Sequence, residues 1–285
     1  MRTWQAKPLS DKKYRLAEGP YWDPRFQRIS WVDILEGCLY TQGPDGDTRR
    51  FSLGQPLGAA VPLKGSEGFL LAGRDGLYAL EDGEARLVYD LRQEYGPGRR
   101  SNDAKADPKG RLWFGCMEMD EERFVGGNLY RYEKGGIRLM QKDTKISNGM
   151  AWSRDRRRFY FSDSLCHCVF VYDYDLESGS IRDRRVLFEV EGGVPDGLCI
   201  DSEDNLWLAV WGGRRVEKRS GATGEKLAEV EVPAEHVSSC CFMGKEYDTL
   251  LITSAGEGLS GEYDGRLFTC RVEARGLAPD LAVLG

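Results

Sequence analysis

Short apolar runs recur along this chain between turn signals, and no long stretch carries the apolar spacing of an amphipathic helix. Ile29 to Val32, Phe69 to Ala72, Arg111 to Gly115, Phe159 to Ser162, Leu206 to Val210 and Leu250 to Thr253 read as strands, each preceded by a turn. Pro44-Asp45-Gly46, Asp75-Gly76, Asp82-Gly83 and Pro108-Lys109-Gly110 are typical of the turn signals. With aromatic and β-branched residues concentrated in the runs and 35 glycines spread along the chain, the pattern predicts an all-β fold.

The strands belong to a longer repeated unit. Glu18-Gly19-Pro20-Tyr21-Trp22-Asp23, Asn102-Asp103-Ala104-Lys105-Ala106-Asp107, Asn148-Gly149-Met150-Ala151-Trp152-Ser153 and Asp196-Gly197-Leu198-Cys199-Ile200-Asp201 align, each running from a polar residue through a short strand to a turn. Looser copies start at Leu57 and Ser238, so six units begin 39 to 48 residues apart. Gly-x-Leu-Tyr-like strands recur later in the units, at Gly37 to Tyr40, Gly76 to Tyr78, Gly127 to Tyr130 and Gly265 to Phe268. A period of about 40 to 50 residues with several strands per unit predicts a β-propeller. Six blades fit the length, with residues 1–285 as a single domain and the segment from Trp4 to Pro8 supplying an outer strand to the last blade.

Charge and composition narrow the chemistry. The net charge is -6, and the one arginine-dense run, Arg154 to Arg158, is interrupted by Asp155, so no basic footprint for nucleic acid or anionic lipid is expected. The N-terminus lacks an apolar core with a small-residue cleavage site, and no run approaches eighteen apolar residues. A cytoplasmic protein without membrane partners is therefore expected, with its eight cysteines as reduced and mostly buried thiols, Cys240-Cys241 among them. Only two histidines are present, His167 and His236, the latter read as a surface residue near the rim. Carboxylates, amides and arginines should carry the chemistry.

Equivalent positions of rotationally related blades form a ring, and the unit starts place Glu18, Leu57, Asn102, Asn148, Asp196 and Ser238 at one mouth of a central channel. Desolvated carboxylates are costly unless paired or bound to a cation. Glu18, Asn148 and Asp196, in register on three blades, predict a metal site at that mouth. An oxygen-only set suits calcium, magnesium or manganese.

Ala17-Glu18-Gly19-Pro20, Arg100-Ser101-Asn102-Asp103, Ile146-Ser147-Asn148-Gly149, Pro195-Asp196-Gly197 and Ser238-Ser239-Cys240-Cys241 resemble, in order, the landmarks of the senescence marker protein (regucalcin), gluconolactonase and luciferin-regenerating enzyme family. The resemblance implies a six-bladed propeller with one divalent cation, calcium first, with zinc, manganese, magnesium or iron as alternatives. It also implies hydrolysis of sugar lactones. Through it Glu18, Asn148 and Asp196 match metal ligands, Asp196 also a general base, and Arg100 with Asn102 substrate-binding positions. A further acidic substrate-binding position falls on Asp120, with Glu118, Glu121 and Glu122 as alternatives.

The resulting expectation is a metal-dependent hydrolase that opens aldonolactones to sugar acids. The metal polarises the carbonyl and Asp196 activates water, unless metal-bound water is itself the nucleophile and Asp196 only a ligand. Arg100, with its planar fork of donors, suits vicinal hydroxyls or a carboxylate product. Asp103 is expected to support the site while pointing away from Asn102, and Met117 to Gly127 reads equally as a lid or a solvated loop. The rival readings are an arylesterase or phosphotriesterase on the same scaffold and a calcium-binding propeller without enzymatic activity.

Overall fold

The computed structural model describes residues 2–120 and 126–284. Among the described residues, one helical turn, α1 (Arg92–Tyr95), and a 3-10 turn at Ser164–Cys166 interrupt a structure built otherwise of strands. Two short strands, β1 (Arg2–Gln5) and β2 (Lys7–Pro8), come first. Four antiparallel four-stranded sheets follow. They are β3 (Ala17–Asp23), β4 (Arg28–Asp33), β5 (Cys38–Gln42) and β6 (Thr48–Ser52); β7 (Leu57–Pro62), β8 (Phe69–Gly73), β9 (Gly76–Glu81) and β10 (Glu84–Asp90); β11 (Arg99–Ala106), β12 (Leu112–Glu118), β13 (Gly127–Glu133) and β14 (Gly136–Thr144); and β15 (Ser147–Trp152), β16 (Arg158–Asp163), β17 (Cys168–Tyr174) and β18 (Ile181–Glu189).

The remaining strands are β19 (Val194–Ile200), β20 (Asn205–Trp211), β21 (Arg215–Ser220), β22 (Lys226–Glu231), β23 (His236–Met243), β24 (Thr249–Ala255) and β25 (Phe268–Arg271). With β1 and β2 they form one nine-stranded sheet, which corrects the expectation of a six-bladed propeller with six separate sheets. Hydrogen bonding yields four separate four-stranded blades, and the rest of the chain is joined where Trp211, the last residue of β20, pairs with His236, the first of β23. The N-terminal segment divides its pairing: β2 runs antiparallel to β25, as expected of an outer strand, whereas β1 pairs in parallel with β22.

Burial falls from the first strand of a unit to the last, and the residues explain why. Every position of β7 and β15 is buried, with small and apolar residues covered on both faces by neighbouring sheets. By contrast β10 and β18 are mostly exposed and carry Glu84 and Arg86, and Arg182 to Arg185, charges that discourage pairing at a free sheet edge. Second strands carry large core anchors: Trp31, Trp113 and Trp207 are almost wholly buried. The indole N–H groups of Trp113 and Trp207 donate to Asp107 and Asp201 at 3.0 and 3.1 Å. These two aspartates end the aligned sequence units, and each also accepts backbone N–H groups of the turn that follows.

Around the axis β3 contacts β7, β7 contacts β11, and so on through β15, β19 and β23, which returns to β3. The C-terminal segment crosses the far ends of these first strands. Ala282 exchanges backbone hydrogen bonds with Pro62 and Lys64, the Val283 N–H donates to Gly110, and the Tyr21 hydroxyl donates to the Asp280 carbonyl at 2.8 Å. The end of the channel where the first strands begin is thus the one left to the polar residues that open each unit.

Candidate functional site at the channel mouth

Each first strand slips register once, near its start: at Glu18/Tyr21, Leu57/Ala59, Ser101/Ala104, Ser147/Met150, Pro195/Leu198 and Val237/Ser239. A bulge of this kind releases a residue from the ladder and re-aims its side chain. Asn102, Asn148, Asp196 and Ser238 lie within the slips and Glu18 at the edge of one, so the repeat phase read from sequence marks bulges. Glycine follows at Gly58, Gly149 and Gly197 because adjacent first strands approach closely there, and at Gly19 because the backbone turns through a φ of 51°. A Cβ on Gly149 would stand 2.6 Å from the Asp196 carbonyl oxygen and from the Leu198 nitrogen.

Two aspartates on second strands brace the lead-in to the bulges. Asp33 accepts the N–H groups of Arg15 and Leu16 at 2.8 and 3.3 Å, just before Glu18. Asp163 accepts those of Lys145 and Ile146 at 2.9 and 3.0 Å, just before Asn148.

Glu18, Asn148 and Asp196 are each 5% exposed, Arg100 is 8% and Asn102 is 7% exposed. Glu18 accepts the Gly19 N–H at 2.6 Å, and the Asn148 amide donates to Ser164 Oγ at 3.0 Å. Asn148 Oδ1 and Asp196 Oδ1 are buried with no hydrogen-bond partner. The Arg100 guanidinium donates to Asn102 Oδ1 at 2.8 Å and to the Ser101 carbonyl at 3.0 Å, while Asn102 Nδ2 donates to the Ser147 carbonyl at 3.0 Å.

Charge crowding accompanies the burial. Desolvation first, then the Asp103 carboxylate, pushes Glu18 up to about 8. Desolvation followed by Glu18 and Asp103 holds Asp196 well above the usual carboxylate range. Burial lowers Arg100 to about 10 despite the opposing pull of Glu18 and Asp196. Glu18, Asp196 and Arg100 thus act on one another's charge although they come from β3, β19 and β11.

Asp103, expected beside the site, belongs to this electrostatic set, and Lys105, which the sequence reading did not single out, joins it. Asp103 is buried and raised by desolvation, accepts the Ala104 N–H at 2.7 Å, and takes different partners from Asn102. Lys105 donates to the Leu198 carbonyl at 2.8 Å and draws Glu18 and Asp103 downward. A signal existed: Asp103 fills the bulge position where other units have glycine, and Lys105 lies two residues on along the same strand.

Asp120 lies at an exposed position beyond β12, outside the buried set. Glu118 is buried, 3.7 Å from Arg99 Nε, while Glu121 and Glu122 lie outside the described residues, as does part of the expected lid. Cys240 sits 3.7 Å from Cys199, sulfur to sulfur, in the core, and burial raises the Cys240 and Cys241 thiols. Cys240 is thus a buried thiol as expected, whereas Cys241 is half-buried against the cluster that holds Trp31.

Among the described residues no three His, Cys, Asp or Glu side chains converge to hold a metal ion, so the metal site attached to the fold expectation is not present as such a cluster. The residues at the mouth are nevertheless compatible with a hard cation if an amide contributes, because two buried acceptor oxygens there, Asn148 Oδ1 and Asp196 Oδ1, have no partner.

Fold and site together define an all-β propeller whose channel mouth is lined by bulge-borne carboxylates, amides and a buried arginine. Residues 16–256 match the SMP-30/gluconolactonase/LRE-like region, and the chain belongs to that family. Pentonolactonase XacC of Haloferax volcanii is 35% identical over 283 residues, spanning 93% of this chain and 94% of the relative. Regucalcin of Danio rerio is 34% identical over 262 residues, spanning 88% and 86%. The crystal structure of a calcium-binding protein, regucalcin, from Agrobacterium tumefaciens superimposes with a TM-score of 0.93 at 27% identity over 100% of both chains.

Proposed function

We propose that this protein is a lactone hydrolase that opens sugar lactones to the corresponding acids in a metal-dependent reaction, with Glu18, Asn148 and Asp196 as the residues that would hold the cation. The observation that carries the proposal is the pair of buried, unpartnered acceptors Asn148 Oδ1 and Asp196 Oδ1 beside Glu18 and Arg100. The end-to-end likeness to a pentonolactonase supports the substrate class. A divalent ion, calcium first, supplies charge that polarises an acyl oxygen and stabilises negative charge developing on it.

The chain's own residues do the rest. Arg100 and Asn102, locked to each other, present donors to ring hydroxyls and fix the lactone in one orientation. Asp196 takes the proton of the attacking water. Asp120, at its exposed place beyond the buried set, contacts substrate only at the outer edge of the pocket.

Among the described residues no helix is long and apolar enough to cross a membrane, and all eight cysteines are free thiols. The thiols support a cytoplasmic location as part of the proposal.

The test is a panel of aldonolactones assayed by acid release, using metal-free protein and each divalent ion restored singly. Turnover that depends on one ion and prefers aldonolactones supports the proposal. Preference for aryl esters or phosphotriesters overturns it in favour of the rival hydrolase, and ion binding without any turnover overturns it in favour of a calcium-binding propeller.

A further inference from the structure

The contact that joins β20 to β23 is an aromatic stack. Trp211 and His236 lie with ring centroids 4.2 Å apart and planes 13° apart, and both residues are half-buried. Their position is set by the strands. Trp211 pairs with Val194, and Asp196 follows Val194 by two residues, about 7 Å along the strand. His236 opens β23 two residues before Ser238. The stack therefore stands at the mouth that holds Glu18, Asn148 and Asp196, on the arc between Asp196 and Ser238, whereas Arg100 and Asn102 come from β11. Burial holds the imidazole below its usual range against the pull of Glu235 and Asp264, which leaves an uncharged plate.

A cyclic sugar lactone has hydroxyl edges and a face of C–H bonds. The buried groups of the mouth are carboxylates, amides and cations, matched to the edges, and an apolar face set against them would leave polar groups without partners. A half-exposed indole is the complementary surface, since aromatic rings gain by covering apolar area while sparing the polar edges.

We propose that the Trp211/His236 stack is the platform for the C–H face of the sugar ring, with Trp211 a specificity-determining residue that touches substrate. The proposal rests on the lactonase reading above and adds to it the group that reads the ring face.

The test uses the full-length protein with calcium chloride and D-glucono-1,5-lactam, a ring of the same shape that lacks the lactone ester. Calorimetric dissociation constants for the lactam, with KM and kcat for glucono-1,5-lactone, are measured for the wild type, Trp211→Ala, Trp211→Phe and Trp211→Leu, and thermal unfolding checks each fold. In Trp211→Ala and Trp211→Leu the lactam constant and KM should rise about tenfold with kcat within about threefold, while Trp211→Phe stays within about threefold of wild type in all three. If Trp211→Ala does not fold, the Phe and Leu variants decide. Equal KM and lactam affinity in the Phe and Leu variants, in a protein that does open aldonolactones, overturns the platform and leaves the lactonase reading standing. A wild type that neither opens aldonolactones nor binds the lactam overturns both.

Discussion

The Arg100 guanidinium donates to Asn102 Oδ1 across 2.8 Å, and the same amide's Nδ2 reaches the Ser147 carbonyl at 3.0 Å, so one side-chain pair bridges β11 to the start of β15. The bridge orients both groups before any ligand arrives, which reduces the ordering needed on binding. Arg100→Ala should therefore lose selectivity more than basal chemistry. Wild-type kcat/KM should favour polyhydroxylated lactones over unsubstituted γ- or δ-lactones by at least about tenfold, or about 1.4 kcal/mol. The variant should lose most of that preference while opening the unsubstituted ring nearly as before. Steady-state kinetics on matched lactones measure the ratio, and an unchanged ratio would remove Arg100 from recognition.

Asp196→Asn retains shape and one oxygen but discards charge and basicity. Turnover at saturating metal should fall by at least about a hundredfold, the low end for loss of a general base. Near-normal turnover would exclude Asp196 as the base.

Glu18→Gln and Asn148→Ala should act mainly on the ion. Both should weaken divalent-ion affinity, and excess ion should restore part of the rate. In the unmutated protein the ion should raise the melting temperature, because it binds only the folded state that gathers its ligands from separate sheets. Calorimetric titrations showing unchanged affinity in both variants would exclude them as ligands.

The raised carboxylates set a pH dependence whose sign is fixed. Glu18 lies at about 8 in the fold against an ordinary 4.5, so between those values the folded state binds more protons than the unfolded one. Stability of the metal-free protein should accordingly fall as pH rises from about 5 to about 8, at up to about 1.4 kcal/mol per pH unit per group. The contribution is fully present below 4.5 and lost by the time pH passes about 8. Binding a cation requires the deprotonated form, so it should release protons at neutral pH. Urea unfolding across this range, and calorimetry in buffers of different ionisation enthalpy, read the two effects; a metal-free protein that gains stability over the interval would contradict the assignment.

Gly149→Ala should destabilise the ring of first strands. Its Cβ would sit 2.6 Å from the Asp196 carbonyl oxygen and the Leu198 nitrogen, both backbone atoms, so β15 and β19 would have to separate. A loss of about 1–3 kcal/mol in denaturant unfolding is expected, with weaker ion binding because Asn148 and Asp196 flank the displaced segment.

The sequence by itself determined the strand-rich class, the repeat and its phase. Alternating apolar runs and turn residues are local signals, and six of the second-strand positions, from Ile29–Val32 to Leu250–Thr253, fall on or across β4, β8, β12, β16, β20 and β24. The polar residue opening each unit was legible for the same reason, since Glu18, Asn102, Asn148 and Asp196 recur at one phase. Tertiary structure alone decided what those residues face. A bulge shifts the two-residue alternation by one, so sequence spacing placed Asp103 beside the site but could not tell that Lys105 joins the electrostatics of Glu18 and Asp103, or that Arg100 is buried. The fusion of the last strands into one nine-stranded sheet was equally out of reach, because it depends on Trp211 meeting His236 across 25 residues of chain, a long-range contact that no periodic pattern along the chain records.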